Sequence, residues 1–189
     1  MSPVSPFCTT GPFFPTEWPD TECNLTGIAG IPARGQQIVI AGKVVESGGK
    51  PTRNSLVEIW QPDANGVFRH PLDPRQSDAD PGFPGWGRSR TLADGSYRLK
   101  TIFPGAYEEN GVRRLPHINV MVLAIGLTRR LVTTLYFKEG ADPVLDLVPP
   151  QRRARLVAQR DETLDDGQVH GYRFDVILQG ENETPFFAD

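Results

Sequence analysis

The sequence of 189 residues has little cysteine, no excess of positive charge and no long apolar run. Its two cysteines, Cys8 and Cys23, form no C-x-x-C pair, so free thiols are expected rather than a disulfide framework. The net charge of −3 argues against nucleic acid as a partner. No segment approaches the ~20 apolar residues that cross a bilayer, and the amino end lacks the pattern of a secretory leader. We therefore expect a cytoplasmic protein with no membrane partner.

Glycine and proline are abundant instead, with 19 and 18 residues. Such a composition favours many short strands and turns over long helices. We predict an all-β fold, an antiparallel β-sandwich over residues 37–189. An aromatic, proline-rich N-terminal arm over residues 1–36 should pack on this body or on a partner chain.

Alternation of apolar and polar residues marks the strands. "QQIVIAGKVV" and "NSLVEIW" predict two strands joined by a turn at "SGGK", and "SRTLADGSYRLKTIF" predicts a hairpin through Asp94 and Gly95. "LPHINVMVLAIG", "LVTTLYF" and "HGYRFDVILQG" predict further strands. "PQRRARLVAQR", residues 150–160, predicts one short helix with Pro150 in its first turn. Trp60 is expected in the core.

A long irregular connection, residues 69–88, is rich in proline and glycine. Connections of this length without regular structure are uncommon unless they bind something or cover a surface, so this one is a candidate interface. Its acidic pair, Asp78 and Asp80, is expected to be solvated rather than to work as a catalytic pair.

Tyr107 and His117 offer the oxygen and nitrogen donors that suit ferric iron, in the segment "PGAYEENGVRRLPHINVMV". Two residues beyond the histidine stands Asn119, on the same face if this segment is a strand. Taken alone, a tyrosine and a histidine are more often a buried hydrogen-bonded pair than a metal site.

The segments "VEIWQPDANGVF", "TIFPGAY" and "PHIN", in this order, resemble the intradiol ring-cleaving dioxygenases. The resemblance extends from about Gly42 to Phe187 and implies a β-sandwich that supports ferric iron. The iron ligands implied by the resemblance fall on four positions: Phe68, Tyr107, His117 and Asn119. Phenylalanine has no donor atom and an asparagine carbonyl suits ferric iron poorly, so these positions are expected to be vestigial and the chain to bind no metal.

This pattern is similar to the non-iron α chains of the protocatechuate-cleaving branch of the family, as are "PQRR", "YRFDVILQGENET" and "FFAD". The resemblance implies a homologous β subunit that carries the Fe(III), αβ units in a symmetric oligomer, and cleavage of a small aromatic substrate by O2. It places Thr9, Gly11 and Pro12 on the wall of the partner's pocket. Ile125 stands where relatives carry an arginine by register, so another anionic catechol is an alternative substrate.

Two other interpretations stay open at this point. The chain could be a single-chain iron enzyme with an unusual ligand set. It could also be a non-enzymatic sandwich module of the transthyretin or carboxypeptidase-regulatory type, because its strand and turn patterns occur in many such domains.

Overall fold

The computed structural model describes residues 22–124 and 126–187. In this part of the chain the strands, numbered in order, are β1 (Glu22–Asn24), β2 (Gly27–Ile28), β3 (Ile31–Pro32), β4 (Gln37–Val45), β5 (Leu56–Trp60), β6 (Trp86–Arg90), β7 (Ser96–Ile102), β8 (Tyr107–Glu109), β9 (Val112–Arg114), β10 (His117–Leu123), β11 (Leu131–Tyr136), β12 (Gln159–Arg160), β13 (His170–Arg173) and β14 (Val176–Ile177).

The helical segments are short. Two are α-helices, α1 (Pro143–Asp146) and α2 (Pro150–Arg153), and four are 3-10 turns, Ser47–Gly49, Gln76–Asp78, Ala154–Leu156 and Glu162–Leu164. The helix predicted over residues 150–160 is confirmed from Pro150 to Leu156, as α2 and the 3-10 turn after it, but Gln159–Arg160 form β12 instead. The helix α1 was not predicted. No helix in the described residues has the length and apolar character needed to cross a membrane.

Two sheets face each other and confirm the predicted β-sandwich. One has the order β1-β7-β4-β13-β12, with β14 also paired to β4, and the other has the order β11-β10-β5-β6. The first sheet is mixed, because β1 runs parallel to β7 and both β13 and β14 run parallel to β4. Two small ribbons, β2-β3 and β8-β9, lie outside these sheets.

The main core lies between the two sheets. Ile38 and Ile40 of β4 and Leu99 of β7 meet Ile59 of β5 and Ile118 of β10, all at most 1% exposed. A second, smaller cluster of Tyr136, Leu145, Val148 and Leu156 covers the other face of the β10-β11 pair. The segment from α1 to Leu156 therefore closes one end of that outer face.

The hairpin predicted through Asp94 and Gly95 is wrong. The tight turn forms, with the Leu92 N–H donating to the Ser96 carbonyl at 2.8 Å, but β6 pairs with β5 and β7 pairs with β4. The "SGGK" turn likewise leads from β4 in one sheet to β5 in the other. An amphipathic strand buries its apolar face equally well across the core or beside its neighbour, so alternation alone does not decide between the two arrangements.

The long connection between β5 and β6 is fixed to the body by two buried carboxylates, Asp63 and Asp80, which are 2% and 4% exposed. Asp63 accepts the backbone N–H of Asp80 at 2.9 Å, and Asp80 accepts that of Arg34 at 2.6 Å. The expected solvation of Asp80 is therefore wrong. A buried carboxylate that receives several backbone N–H groups fixes irregular chain in place of ladder hydrogen bonds.

Part of the predicted arm, residues 22–36, lies in the described chain. Its strand β1 joins the edge of the first sheet beside β7, and its β2-β3 ribbon turns through Ala29 and Gly30, both with positive φ. The division of the chain at residue 36 stays a prediction.

Candidate functional site

An open cleft of about 730 Å³ lies beside the outer face of the second sheet, at the end of β5. Its lining includes the aromatic rings of Trp60, Phe68, His70 and Tyr107 and the carboxylates of Glu108 and Glu109. The sequence predicted Trp60 in the core; it is instead half-buried and forms part of this wall. Aromatic walls with a few polar groups are typical of binding sites.

Tyr107 and His117 meet at the back of this cleft. The Nδ1 of His117 lies 2.7 Å from the Leu115 carbonyl oxygen, which can only accept, so Nδ1 carries the hydrogen. Nε2 then accepts from the Tyr107 hydroxyl at 3.2 Å. The lone pair that would bind a metal is thereby occupied by a proton donor.

Burial keeps both members of this pair neutral. It lowers the pKa of His117 below the usual 6.5, and the nearby Arg114 lowers it further. Burial also raises the pKa of Tyr107 to about 12, although Arg114 opposes that shift. At neutral pH the site therefore contains a phenol and an uncharged imidazole.

Phe68 fills the position where the family resemblance implies a second tyrosine. Its ring stacks on Trp60 at a centroid distance of 5.6 Å and meets the ring of Tyr107 edge to face at 5.0 Å. The side chain thus contributes packing and no donor atom.

Asn119 shares its strand face with His117, because Ile118 and Val120 between and beyond them point into the main core. It lines a separate, smaller pocket of about 220 Å³ with Glu58, Trp86 and Met121. Trp60 lines both pockets. The structure therefore brings Phe68, Tyr107 and His117 together, while Asn119 lies in the adjacent pocket.

Sequence reasoning missed a buried network behind Tyr107. Arg114, only 7% exposed, places its guanidinium 5.8 Å from the Tyr107 ring centroid and donates to Asp142 at 3.0 Å and to Glu109. Asp142 also accepts from the Tyr136 hydroxyl at 2.8 Å and from the Leu115 backbone N–H at 3.0 Å. This network fixes the β8-β9 ribbon against the start of β10.

One signal for this network was present in the sequence. Asp142 directly precedes Pro143 and caps α1, accepting the Val144 N–H at 3.0 Å, which is a common helix start. Although burial opposes it, hydrogen bonds from Arg114, Tyr136 and the backbone hold the pKa of Asp142 below 3.8. The carboxylate is therefore charged at neutral pH.

The donor set in the described residues does not fit ferric iron. No group of three or more histidine, cysteine, aspartate or glutamate side chains in the described ranges is placed to hold a metal ion. Tyr107 and His117 form a hydrogen bond with each other, and Glu109 forms a salt bridge with Arg114. That the chain binds no iron stays a prediction.

The remaining candidate residues, Thr9, Gly11, Pro12 and Ile125, lie outside the described residues. Their place on a pocket wall stays a prediction.

Comparisons with known proteins all match this chain to dioxygenases. A family model described as "Dioxygenase" matches residues 9–180. The sequence is 39% identical to the protocatechuate 3,4-dioxygenase beta chain of Burkholderia cepacia, over 80% of this chain and 68% of that one. It is 36% identical to the alpha chain from the same organism, over 97% of this chain and 96% of that one.

Solved structures give the same result for the fold. The dioxygenase domain of a dioxygenase carbohydrate-binding protein fusion from Streptomyces sp. SirexAA-E aligns with a TM-score of 0.58 and 27% identity. The alignment covers 92% of this chain and 97% of that domain.

Proposed function

This chain belongs to the intradiol dioxygenase family of oxidoreductases, and on that premise we propose that it is the non-iron α subunit of a two-chain enzyme. Its homologous β subunit would bind the Fe(III) and cleave protocatechuate with O2. Both oxygen atoms enter the product, 3-carboxy-cis,cis-muconate, as the ring bond between the two hydroxyl-bearing carbons breaks. A cytoplasmic location is part of this proposal.

One observation carries the proposal. The two donors that this chain retains, Tyr107 and His117, bond to each other, and Phe68 packs where a third donor would be needed. The similarity over nearly the full length of an alpha chain supports the same assignment.

The role proposed for this chain is to complete the pocket over the partner's iron. Thr9, Gly11, Pro12 and Ile125 would line that pocket, exclude water and hold the partner's loops in place. Such a role requires a large and permanent contact, of the obligate kind that buries more than ~2,000 Å². The αβ units would assemble with closed symmetry.

A second substrate is favoured by one feature of the sequence. Ile125 is apolar where the family resemblance implies an arginine facing the pocket. Another anionic catechol is therefore the second candidate, to be compared with protocatechuate in the same assay.

The test is co-expression with the β homologue, with a purification tag on this chain. We expect one iron per αβ pair and ring cleavage measured by O2 uptake. The protein should be colourless when this chain is purified alone. Stoichiometric iron in the isolated chain would contradict the proposal, and so would failure to bind β.

The pocket-wall role has its own matched test. Thr9→Ala should raise KM for protocatechuate at unchanged iron content, whereas Thr10→Ala, at the neighbouring residue that is not assigned to the pocket wall, should leave KM unchanged. Equal kinetics for the two variants would remove Thr9 from the pocket wall.

A further inference from the structure

The aromatic cleft of this chain, an open site of about 730 Å³, has no role in the function proposed above. Trp60 and Phe68 are half-buried in its wall, and Leu72 on its lip is 85% exposed. An open apolar surface of this kind is a common sign of a binding partner. The cleft is therefore a candidate binding site for a partner rather than for iron.

The polar groups of the cleft are mainly acceptors. The Tyr107 hydroxyl gives its hydrogen to His117, so only its oxygen lone pairs remain available. Glu109 has one oxygen bonded to Arg114, and Glu108 makes no ion pair with any described residue. Among the described lining residues there is no lysine or arginine.

An arginine side chain fits this combination best. Its planar guanidinium stacks on aromatic rings and presents five donors to carboxylate oxygens, while its methylene stem can pack on an apolar residue such as Leu72. Buried arginines of this type dominate many interfaces. Arg114, which does not itself line the cleft, already places its guanidinium 5.8 Å from the Tyr107 ring centroid.

We propose that an arginine side chain of the β subunit docks in this cleft, between the Trp60–Phe68 wall and Glu108. The inference rests on the proposed function. This chain is similar to both beta and alpha chains, so the two subunits are homologous and would pair about an approximate two-fold axis. If this chain reaches over the partner's cleft, the equivalent segment of the partner reaches over this one.

The first test measures charge. In the co-expressed αβ complex, Glu108→Lys should raise the αβ dissociation constant about tenfold at low salt, with a smaller effect at high salt. The dissociation constant is measured by mass photometry on dilution. Glu139→Lys makes the same charge change at an exposed residue that does not line the cleft, and should leave the dissociation constant unchanged.

The second test measures access and needs no loss of affinity. With Cys8→Ser as background, leaving the buried Cys23, a Leu72→Cys thiol should react with maleimide in the free chain and be protected in the complex. Leu147→Cys, at a residue 74% exposed and outside the cleft, controls for reagent quality in the free chain.

The outcomes separate the two proposals. If the wild-type chain does not bind β, the proposed function fails. If it binds with one iron per pair but Leu72→Cys stays reactive, the docking inference is wrong while the function stands. Protection of Leu72→Cys without any effect of Glu108→Lys would mean an apolar side chain in the cleft and would overturn the arginine assignment.

Discussion

At the scale of single residues, Tyr107 and His117 satisfy each other's hydrogen-bonding needs. A buried hydroxyl or imidazole without a hydrogen-bond partner costs about 1–3 kcal/mol, so the hydrogen bond between these two side chains stabilises both. A metal would have to displace this bond and deprotonate a tyrosine whose pKa is about 12. The hydrogen-bonded pair therefore opposes iron binding, as the proposed non-iron role requires.

Introducing donors at the two positions where the family resemblance implies them tests this account. The double variant Phe68→Tyr/Asn119→His should bind ferric iron and become coloured through tyrosinate coordination, because it returns the ligand set that the family resemblance implies. The measurements are visible absorption and iron per chain. Each single variant, and Phe68→Tyr/Asn119→Gln, should stay colourless as matched controls. A folded double variant without iron would show that the backbone of the site has also changed.

The four candidate positions could be named from the sequence, but the surroundings of these residues could not. Phe68, Tyr107, His117 and Asn119 were identified from motifs. The pairing of Arg114 with Asp142 joins residues 28 apart in sequence, and only tertiary packing makes that arginine buried. The separate pocket of Asn119 likewise depends on the position of Trp60 between two strands.

At the scale of elements, the strands followed from alternation while their partners did not. The predicted strands appear as β4, β5, β7, β10, β11 and β13, and Pro150 begins α2. The pairing of β6 with β5 rather than β7 depends on the whole core, because tight turns of similar local geometry can join strands within one sheet or between two. The other α-helix, α1, was missed because its four residues give no periodic signal.

Close contact between two loops positions Phe68 and Tyr107, and glycine makes it possible. A Cβ at Gly66 would lie 2.3 Å from the Ala106 carbonyl oxygen, next to Tyr107, whereas a Cβ at Gly111 would meet nothing within 4 Å. Both glycines have nearly the same positive φ, 76° and 75°. They therefore form a matched pair that separates steric contact from backbone strain.

We expect Gly111→Ala to lower the free energy of unfolding by about 1–2 kcal/mol through strain alone. Gly66→Ala should cost roughly 2 kcal/mol more, because the clash moves the loop that carries Phe68. Urea unfolding gives the stabilities, and Trp60 fluorescence reports displacement of the stacked Phe68. Equal losses for the two variants would mean that the loops relax freely.

At the scale of the whole molecule, one buried network links several elements. Asp142 joins β9 through Arg114, the start of β10 through the Leu115 N–H, β11 through Tyr136, and α1 through its cap. Removing one partner of a buried ion pair typically costs 3–5 kcal/mol, because the other charge is left unpaired. Protonation of Asp142 should therefore lower the free energy of unfolding of the entire domain.

The pH dependence of stability follows from the shifted pKa values. His117 has a folded-state pKa below 6.5, so the unfolded chain binds the extra proton first, and stability falls as the pH drops below about 6.5. Asp142, with a folded-state pKa below 3.8, stabilises the fold above that value, and its contribution is lost as the pH falls further. Above pH 10 stability falls again, because burial raises the pKa of Tyr107 to about 12 and also raises the pKa values of Tyr97 and Tyr136, so the unfolded chain loses these protons first.

Urea unfolding at a series of pH values should show these three windows. A single proton gives a slope of at most about 1.4 kcal/mol per pH unit. His117→Gln should remove the decline that begins near pH 6.5, and Asp142→Asn should reduce the decline below pH 4, each against its own lower baseline. If His117→Gln kept the full decline between pH 6.5 and 5, the imidazole would have to be solvated in the folded chain, and the closed Tyr107–His117 pair on which the non-iron assignment depends would be wrong.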